Sequence, residues 1–339
     1  MKAVQITGLQ KMEVIDLDKP QYGANDVLIR LHYVGFCGSD LNTYLGRNTM
    51  AKMPVIPGHE VGAVIEAVGE NVPDILKPGM AVTVNPYTNC GKCASCRNGR
   101  VNACKDNQTL GVQRDGVMCE YAVLPWEKII TAGNLDPRTC ALIEPMSVGF
   151  HAVSRAEVSD IDFVMVIGCG MVGMGAIVRS VQRGATVIAA DIDDEKLALA
   201  REMGAAYTIN TLSEDVHSRL TEITSGYGPD VIIEAVGSIP TYQMAINEVA
   251  FTGRVACIGY AKNDVSFTTK YFVQKELDIR GSRNATPSDF RAVIHYLERG
   301  TCPVDKLISK EVAPADAESA MIEWTQAPGK VFRILVNMK

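Results

Sequence analysis

Four cysteines stand close together in Cys90-Gly-Lys-Cys93-Ala-Ser-Cys96 and, after seven further residues, Cys104. Thiolates at this spacing suit a tetrahedral zinc ion and would fill all four of its positions. Such a site is closed: it staples a loop and performs no chemistry. Two disulfides in a secreted protein are the alternative. The opening MKAVQITG has no apolar run of leader length and weighs against it. Chemistry at a metal needs three protein donors and one position left open. Cys37 in Cys-Gly-Ser-Asp, His59 in Gly-His-Glu and Glu144 before Pro145 offer a thiolate, an imidazole and a carboxylate. They are far apart in the chain, so their convergence depends on the fold.

A second chemistry is written in Gly168-Cys-Gly170-Met171-Val172-Gly173, which follows the apolar run from Phe163 and opens a helical pattern. The first glycine permits a tight turn, the second lets the backbone approach a pyrophosphate, and the third lets helix and strand pack closely. Met171 and Val172 would begin the helix whose N-terminus receives the anion. Asp191 closes the next apolar run, 23 residues after Gly168. A carboxylate there accepts hydrogen bonds from ribose hydroxyls and repels a 2′-phosphate, so NAD is expected in preference to NADP. A helix N-cap is the other use for that aspartate.

The elements that must position these groups follow from periodicity. The first 125 residues read as short strands between Gly, Pro and Asn turns: Val27–Tyr33, Val61–Val68, Met80–Val84 and Glu120–Leu124. Asp136-Pro137 reads as an N-cap and first helical residue, leading a helical stretch broken at Pro145. From Phe163 strand and helix alternate. Strands are expected at Phe163–Gly168, Thr186–Asp191, Asp230–Val236 and Arg254–Gly259, with helices at Met171–Arg183 and Asp194–Met203. That alternation predicts a parallel sheet covered on both faces. Near Gly281 it weakens. Helices at Pro287–Arg299 and Ala315–Trp324 and a strand at Val331–Val336 close the chain.

A chain of 339 residues exceeds one ordinary core, so two domains are expected. Hydrophobic content of 47% and charged content of 21% describe a globular protein. A net charge of -6 argues against general binding to nucleic acid or anionic membrane. The stretch Phe163–Val178 is interrupted by glycines and is too short for a membrane span. The six cysteines outside the lobe are scattered, which fits a reducing, cytoplasmic compartment.

Taken together, Gly35-Phe-Cys37-Gly-Ser39-Asp40, Gly58-His59-Glu60, the four-cysteine lobe, Glu144-Pro-Met-Ser-Val-Gly-Phe-His151 and the glycine turn resemble the zinc-dependent medium-chain dehydrogenases over essentially the whole chain. The Glu144–His151 stretch is most similar to the sorbitol-dehydrogenase-like branch. The segment Gly281-Ser-Arg283-Asn284-Ala-Thr-Pro-Ser-Asp289-Phe resembles bacterial dehydrogenases of hexonates such as L-galactonate or L-gulonate. The resemblance implies an α/β fold. Residues 1–150 and 285–339 would form a GroES-like, β-rich catalytic domain with a zinc lobe at about 88–106. Residues 151–284 would form a Rossmann domain with a doubly wound parallel sheet.

It further implies two zinc ions per chain and NAD. One zinc would be held by Cys37, His59 and Glu144, with Glu60 an alternate ligand or close behind, and the other by Cys90, Cys93, Cys96 and Cys104. Asp40 would orient His59. Ser39 would touch the substrate hydroxyl and pass on its proton. Arg283 would lie near the cofactor or the cleft. A small-molecule secondary alcohol would be oxidised through a zinc-stabilised alkoxide with hydride transfer to NAD. A homo-oligomer, dimer or tetramer, is expected, without nucleic acid or membrane as partner. One departure bears on the proton path. Members of the branch often carry histidine five positions after the first zinc cysteine, and here that position is Asn42, leaving water or Tyr44 as the exit.

Two other readings stand beside this one. A threonine-type dehydrogenase shares both zinc motifs, although the Ser-Val-Gly stretch after Pro145 leans away from it. A non-enzymatic zinc-lobe binding protein would keep only the closed site.

Overall fold

Alternating apolar and polar residues, punctuated by glycine and proline, set the first part of the chain into strands. In the computed structural model, which describes the backbone of residues 1–339 and every side chain but that of Pro328, strands β1 (Lys2–Gly8) and β2 (Lys11–Asp16) form an antiparallel pair. Next come β3 (Asp26–Gly35), α1 (Gly38–Tyr44), β4 (Glu60–Val68), β5 (Ala81–Val84), α2 (Ala94–Arg97), β6 (Tyr121–Pro125) and β7 (Ile129–Thr131). Helices α3 (Pro137–Cys140) and α4 (Ile143–Arg155) follow. The long β3 pairs antiparallel with both β4 and β6, and its register sets Gly35 opposite Glu60.

The helical break lies at Ala141–Leu142, not at the proline. Asp136 caps α3 as expected, accepting from the backbone of Arg138 and Thr139. Pro145, however, falls in the first turn of α4. There its missing N–H has no helical partner to lose, so the helix runs on through it.

The next elements are β8 (Phe163–Ile167), α5 (Met171–Gln182), β9 (Thr186–Asp191), α6 (Asp194–Glu202), β10 (Tyr207–Asn210), α7 (Val216–Ile223), β11 (Val231–Glu234), α8 (Ile239–Glu248), β12 (Arg254–Cys257), α9 (Lys270–Gln274) and β13 (Asp278–Gly281). Six strands form one parallel sheet in the order β10-β9-β8-β11-β12-β13. The order runs outward one way from β8 and the other way from β11. With right-handed crossovers, that puts helices on both faces. Burial agrees: Met165, Ile188 and Ile232 on one face and Val164, Val166 and Ile233 on the other are all fully buried. Strands β10 and β13 escape the periodicity, because Tyr-Thr-Ile-Asn and Asp-Ile-Arg-Gly are too short and polar to read as buried strands.

The chain then returns through α10 (Pro287–Leu297), α11 (Val304–Leu307), β14 (Lys310–Val312), α12 (Ala317–Gln326) and β15 (Ile334–Asn337). Strand β15 pairs antiparallel with β3, Leu335 opposite Gly35, completing a sheet of order β14-β15-β3-β4-β5-β7. By contacts the chain divides into one unit of Met1–Pro145 with Thr286–Lys339 and another of Met146–Ala285. The first has its own core around Ile29, Leu31, Ile65, Val82, Met118 and Trp324. The second is built on Met165, Ile188, Ile209, Ile232 and Val255. Among the described residues no helix is long and apolar enough to cross a membrane.

Candidate metal centres and nucleotide turn

The four lobe cysteines are brought together by α2 and the turns on either side of it. Their sulfurs lie within 4.8 Å of one another, with Cys93 Sγ 3.5 Å from Cys96 Sγ and 3.8 Å from Cys104 Sγ. A tetrahedron of zinc–sulfur bonds near 2.3 Å has sulfur–sulfur edges of about 3.8 Å. The donor set and its spacing therefore fit zinc. The thiols also titrate apart. Bonds from Ser95 and from backbone N–H groups pull Cys93 down to about 5, while burial and its bond to Cys93 push Cys96 up to about 11. Cys93 thus forms an anion easily and Cys96 does not, as expected where a cation is needed to hold both as thiolates.

A second constellation gathers Cys37, His59 and Glu60, whose donor atoms also lie within 4.8 Å of one another. Cys37 is the N-cap of α1, and Asp40, in its first turn, folds back so that Oδ2 accepts the Cys37 N–H at 2.8 Å. That explains Cys-Gly-Ser-Asp as a helix start as well as a site. Glu60 opens β4 opposite Gly35, and the glycine is required. A Cβ at Gly35 would stand 2.3 Å from Glu60 Oε2. Glu60 is fully buried. Arg333, just before β15, brings Nε to 3.1 Å of Glu60 Oε2, while its Nη1 donates to the Phe36 carbonyl. The pair meets at ion-pair distance but off the axis of a hydrogen bond. Both Glu60 oxygens thus lack a hydrogen-bond partner among the described residues.

Glu144 lies outside this three-donor set, and its Oε1 accepts the hydroxyl of buried Tyr87. Burial and the neighbouring Glu144 raise the Tyr87 phenol well above its ordinary range, so it stays a neutral donor. Burial likewise raises Asp40, against the pull of His59, and raises Glu60 to about 7, against Arg333. Burial alone would lower His59. Cys37, Glu144 and Asp40 outweigh it and hold the imidazole well above its usual value. So many acids around one imidazole describe a place that calls for positive charge. The expected hydrogen bond between Asp40 and His59 is not made: Asp40 Oδ1 and His59 Nδ1 are both buried without a partner among the described residues. Asp40 acts on His59 through charge and on Cys37 through the helix start. Ser39 Oγ is also buried and unpartnered. The backbone carbonyl of Asn42 accepts from the N–H groups of Arg47 and Asn48, and Tyr44 is buried in the core. The orphaned donor atoms of His59 and Glu60, beside a thiol, fit a zinc ion.

In the other unit, Gly168 leaves β8 at φ +94°, and Gly170 is the N-cap of α5. A Cβ at Gly173 would lie 1.7 Å from the Gly168 carbonyl oxygen, whereas one at Gly170 would meet nothing within 4 Å. The third glycine thus serves packing, and the second faces open space before a helix whose first N–H groups, at Met171 and Val172, lack helical partners. This cradle fits a pyrophosphate. Asp191 does more than expected. Oδ2 accepts from the Cys169 N–H at 2.6 Å, and Oδ1 from Ile192 and Asp193 at 2.7 and 3.0 Å. The helix cap is Asp193, which accepts from Glu195 and Lys196. Arg283 lines a cleft at the carboxyl ends of β12 and β13 with Cys257, Gly259, Tyr260 and Ser282.

Sequence reasoning missed two partners. A charged residue inside the apolar run Val331–Val336 was the available signal for Arg333. Tyr87, in Asn-Pro-Tyr-Thr-Asn, has no periodic pattern to mark it.

Residues 23–134 match the alcohol dehydrogenase GroES-like domain, and residues 172–299 the zinc-binding dehydrogenase family. The chain is 32% identical to L-galactonate-5-dehydrogenase of Escherichia coli (strain K12) over 86% of its own length and 85% of that protein. It is 31% identical to sorbitol dehydrogenase of Halalkalibacterium halodurans over 99% of both. A crystal structure of a short chain alcohol dehydrogenase from E. coli CFT073, complexed with NADH, shares its fold with a TM-score of 0.90 and 28% identity over 99% of each chain.

Arg333→Met tests the buried pair. Removing one partner of such a pair costs about 3–5 kcal/mol, so the urea midpoint should fall sharply. An unchanged midpoint would show that Glu60 needs no counter-charge.

Proposed function

Because the chain belongs to the zinc-dependent alcohol dehydrogenase family, we propose that it oxidises a secondary hydroxyl of a sugar acid, a hexonate above all, or of a polyol to the ketone with NAD. It is an oxidoreductase of the polyol and sugar-acid dehydrogenases. The observation that carries the reading is the set of half-buried Cys37 with buried His59 and Glu60, whose carboxylate and imidazole atoms are left unpartnered, in a chain that also builds the nucleotide turn.

Zinc held by these residues would supply a Lewis acid, and NAD held at the turn a hydride acceptor. The chain's own groups do the rest. Cys37 and His59 hold the metal with one acid, Glu60 or Glu144. Asp40 biases His59 by its charge. Ser39, whose buried hydroxyl lacks a partner, is suited to take a hydrogen bond from the substrate hydroxyl and pass the proton on. Gly168, Gly170 and Gly173 shape the cradle, and Met171 and Val172 present N–H groups to the pyrophosphate. Asp191 retains lone pairs for the adenosine ribose and repels a 2′-phosphate. The lobe of Cys90, Cys93, Cys96 and Cys104 is the structural site. Arg283 is assigned to the cofactor or to a substrate carboxylate. Buried free thiols at Cys119, Cys140 and Cys169 support a reducing, cytoplasmic compartment. A homo-oligomer, dimer or tetramer, accompanies the proposal on the strength of the family resemblance.

Three measurements test it. Cys37→Ser should abolish turnover and lower zinc from about two to about one per chain, since only the closed lobe remains. Full metal content with retained activity would remove the assignment. The wild-type kcat/KM should be higher with NAD than with NADP, and equal values would remove Asp191 from cofactor selection. Arg283→Ala should lower kcat/KM for a hexonate by about 10–150-fold, the loss expected for about 1.5–3 kcal/mol of charged hydrogen bonding, and far less for the matching polyol. Equal losses would move Arg283 to the cofactor. A wild type that ignores hexonates but oxidises sorbitol or threonine would defeat the substrate class.

A further inference from the structure

Two acids stand at the constellation of Cys37 and His59, yet only Glu60 belongs to the three-donor set. A metal that must accept substrate needs its fourth position free, and a second carboxylate nearby is the group best suited to fill it. Something has to hold Glu144 away, and the structure shows what does. The Tyr87 hydroxyl donates to Glu144 Oε1. Tyr87 is itself fixed. Its side chain is buried, and its ring meets Phe290 edge-on at 6.5 Å between centroids. Its N–H donates to Asn85 Oδ1 at 3.2 Å, and its carbonyl accepts Lys128 Nζ at 2.6 Å. A post anchored at ring, N–H and carbonyl cannot follow Glu144 toward the metal without breaking those contacts.

We propose that Tyr87 is a positioning residue: it ties Glu144 outside the Cys37–His59–Glu60 set and so keeps one coordination position open for substrate. This rests on the reading of that constellation as a catalytic metal site.

Cobalt(II) in place of zinc tests it, because its visible bands shift when one ligand in the coordination shell replaces another. Subtracting the spectrum of cobalt-loaded Cys37→Ser cancels the four-cysteine lobe. In Tyr87→Phe the remaining bands should shift, because Glu144 is released into the fourth position. The substrate KM should rise about 10–100-fold, the range for loss of an outer-shell partner, with kcat much less affected. Tyr87→Phe/Glu144→Gln should regain the wild-type bands. A Tyr87→Phe spectrum identical to wild type overturns the proposal. Glu144→Gln alone gives an arm that does not depend on how the tyrosine variant folds. Its bands should match wild type, and a shifted spectrum would mean that Glu144 already ligates, which also overturns the proposal. If wild type shows no Cys37-dependent bands at all, the metal-site reading fails and takes the proposal with it.

Discussion

A carboxyl group with no exposure to water must either take up a proton or find positive charge inside the protein, and Glu60 has Arg333 beside it. Much of the first unit's construction serves that meeting. Strand β3 needs glycine at position 35, because Glu60 occupies the space of a side chain there. Strand β15 must pair with β3 in the register that sets Leu335 opposite Gly35, because that register carries Arg333 to the same end of the sheet. The unit is discontinuous, assembled from residues 1–145 and 286–339, and the second segment brings Arg333 to Glu60.

The same accounting of charge distinguishes the two candidate metal centres. In the lobe, four thiols of one type crowd within 4.8 Å of one another, a set that suits a single metal ion. At Cys37 the donors are mixed, the imidazole is drawn toward protonation, and each acid has a different restraint: the helix start for Asp40, Arg333 for Glu60, Tyr87 for Glu144. A closed site made of like groups is rigid by composition. An open site made of unlike groups has to be held by its surroundings.

Both chemistries were legible in the sequence where they are local. The lobe cysteines and the glycine turn lie within short stretches, so spacing alone announces them. Strands β8, β9, β11 and β12 were visible because burial on both faces makes their sequences apolar throughout. The break before α4 was misplaced because a proline in a first helical turn looks the same in sequence as one that ends a helix. The pairing of Tyr87 and Arg333 with their acids was invisible because it spans 57 and 273 residues of chain, and no period links such positions. The triple hydrogen bonding of Asp191 was hidden for another reason. The acid was expected to serve a ligand, and its service to the turn appears only when backbone N–H groups are placed.

The split in the first unit also has a consequence for the order in which the protein is made. Residues leave the ribosome from the N-terminus, so every strand of the six-stranded sheet exists before Arg333 has been synthesised. The nucleotide unit can therefore fold while the chain is still tethered. The constellation of Cys37, His59 and Glu60 cannot reach its final form then, since Glu60 lacks its charged neighbour and β3 its last strand partner. Its completion waits until Arg333 and β15 have been made.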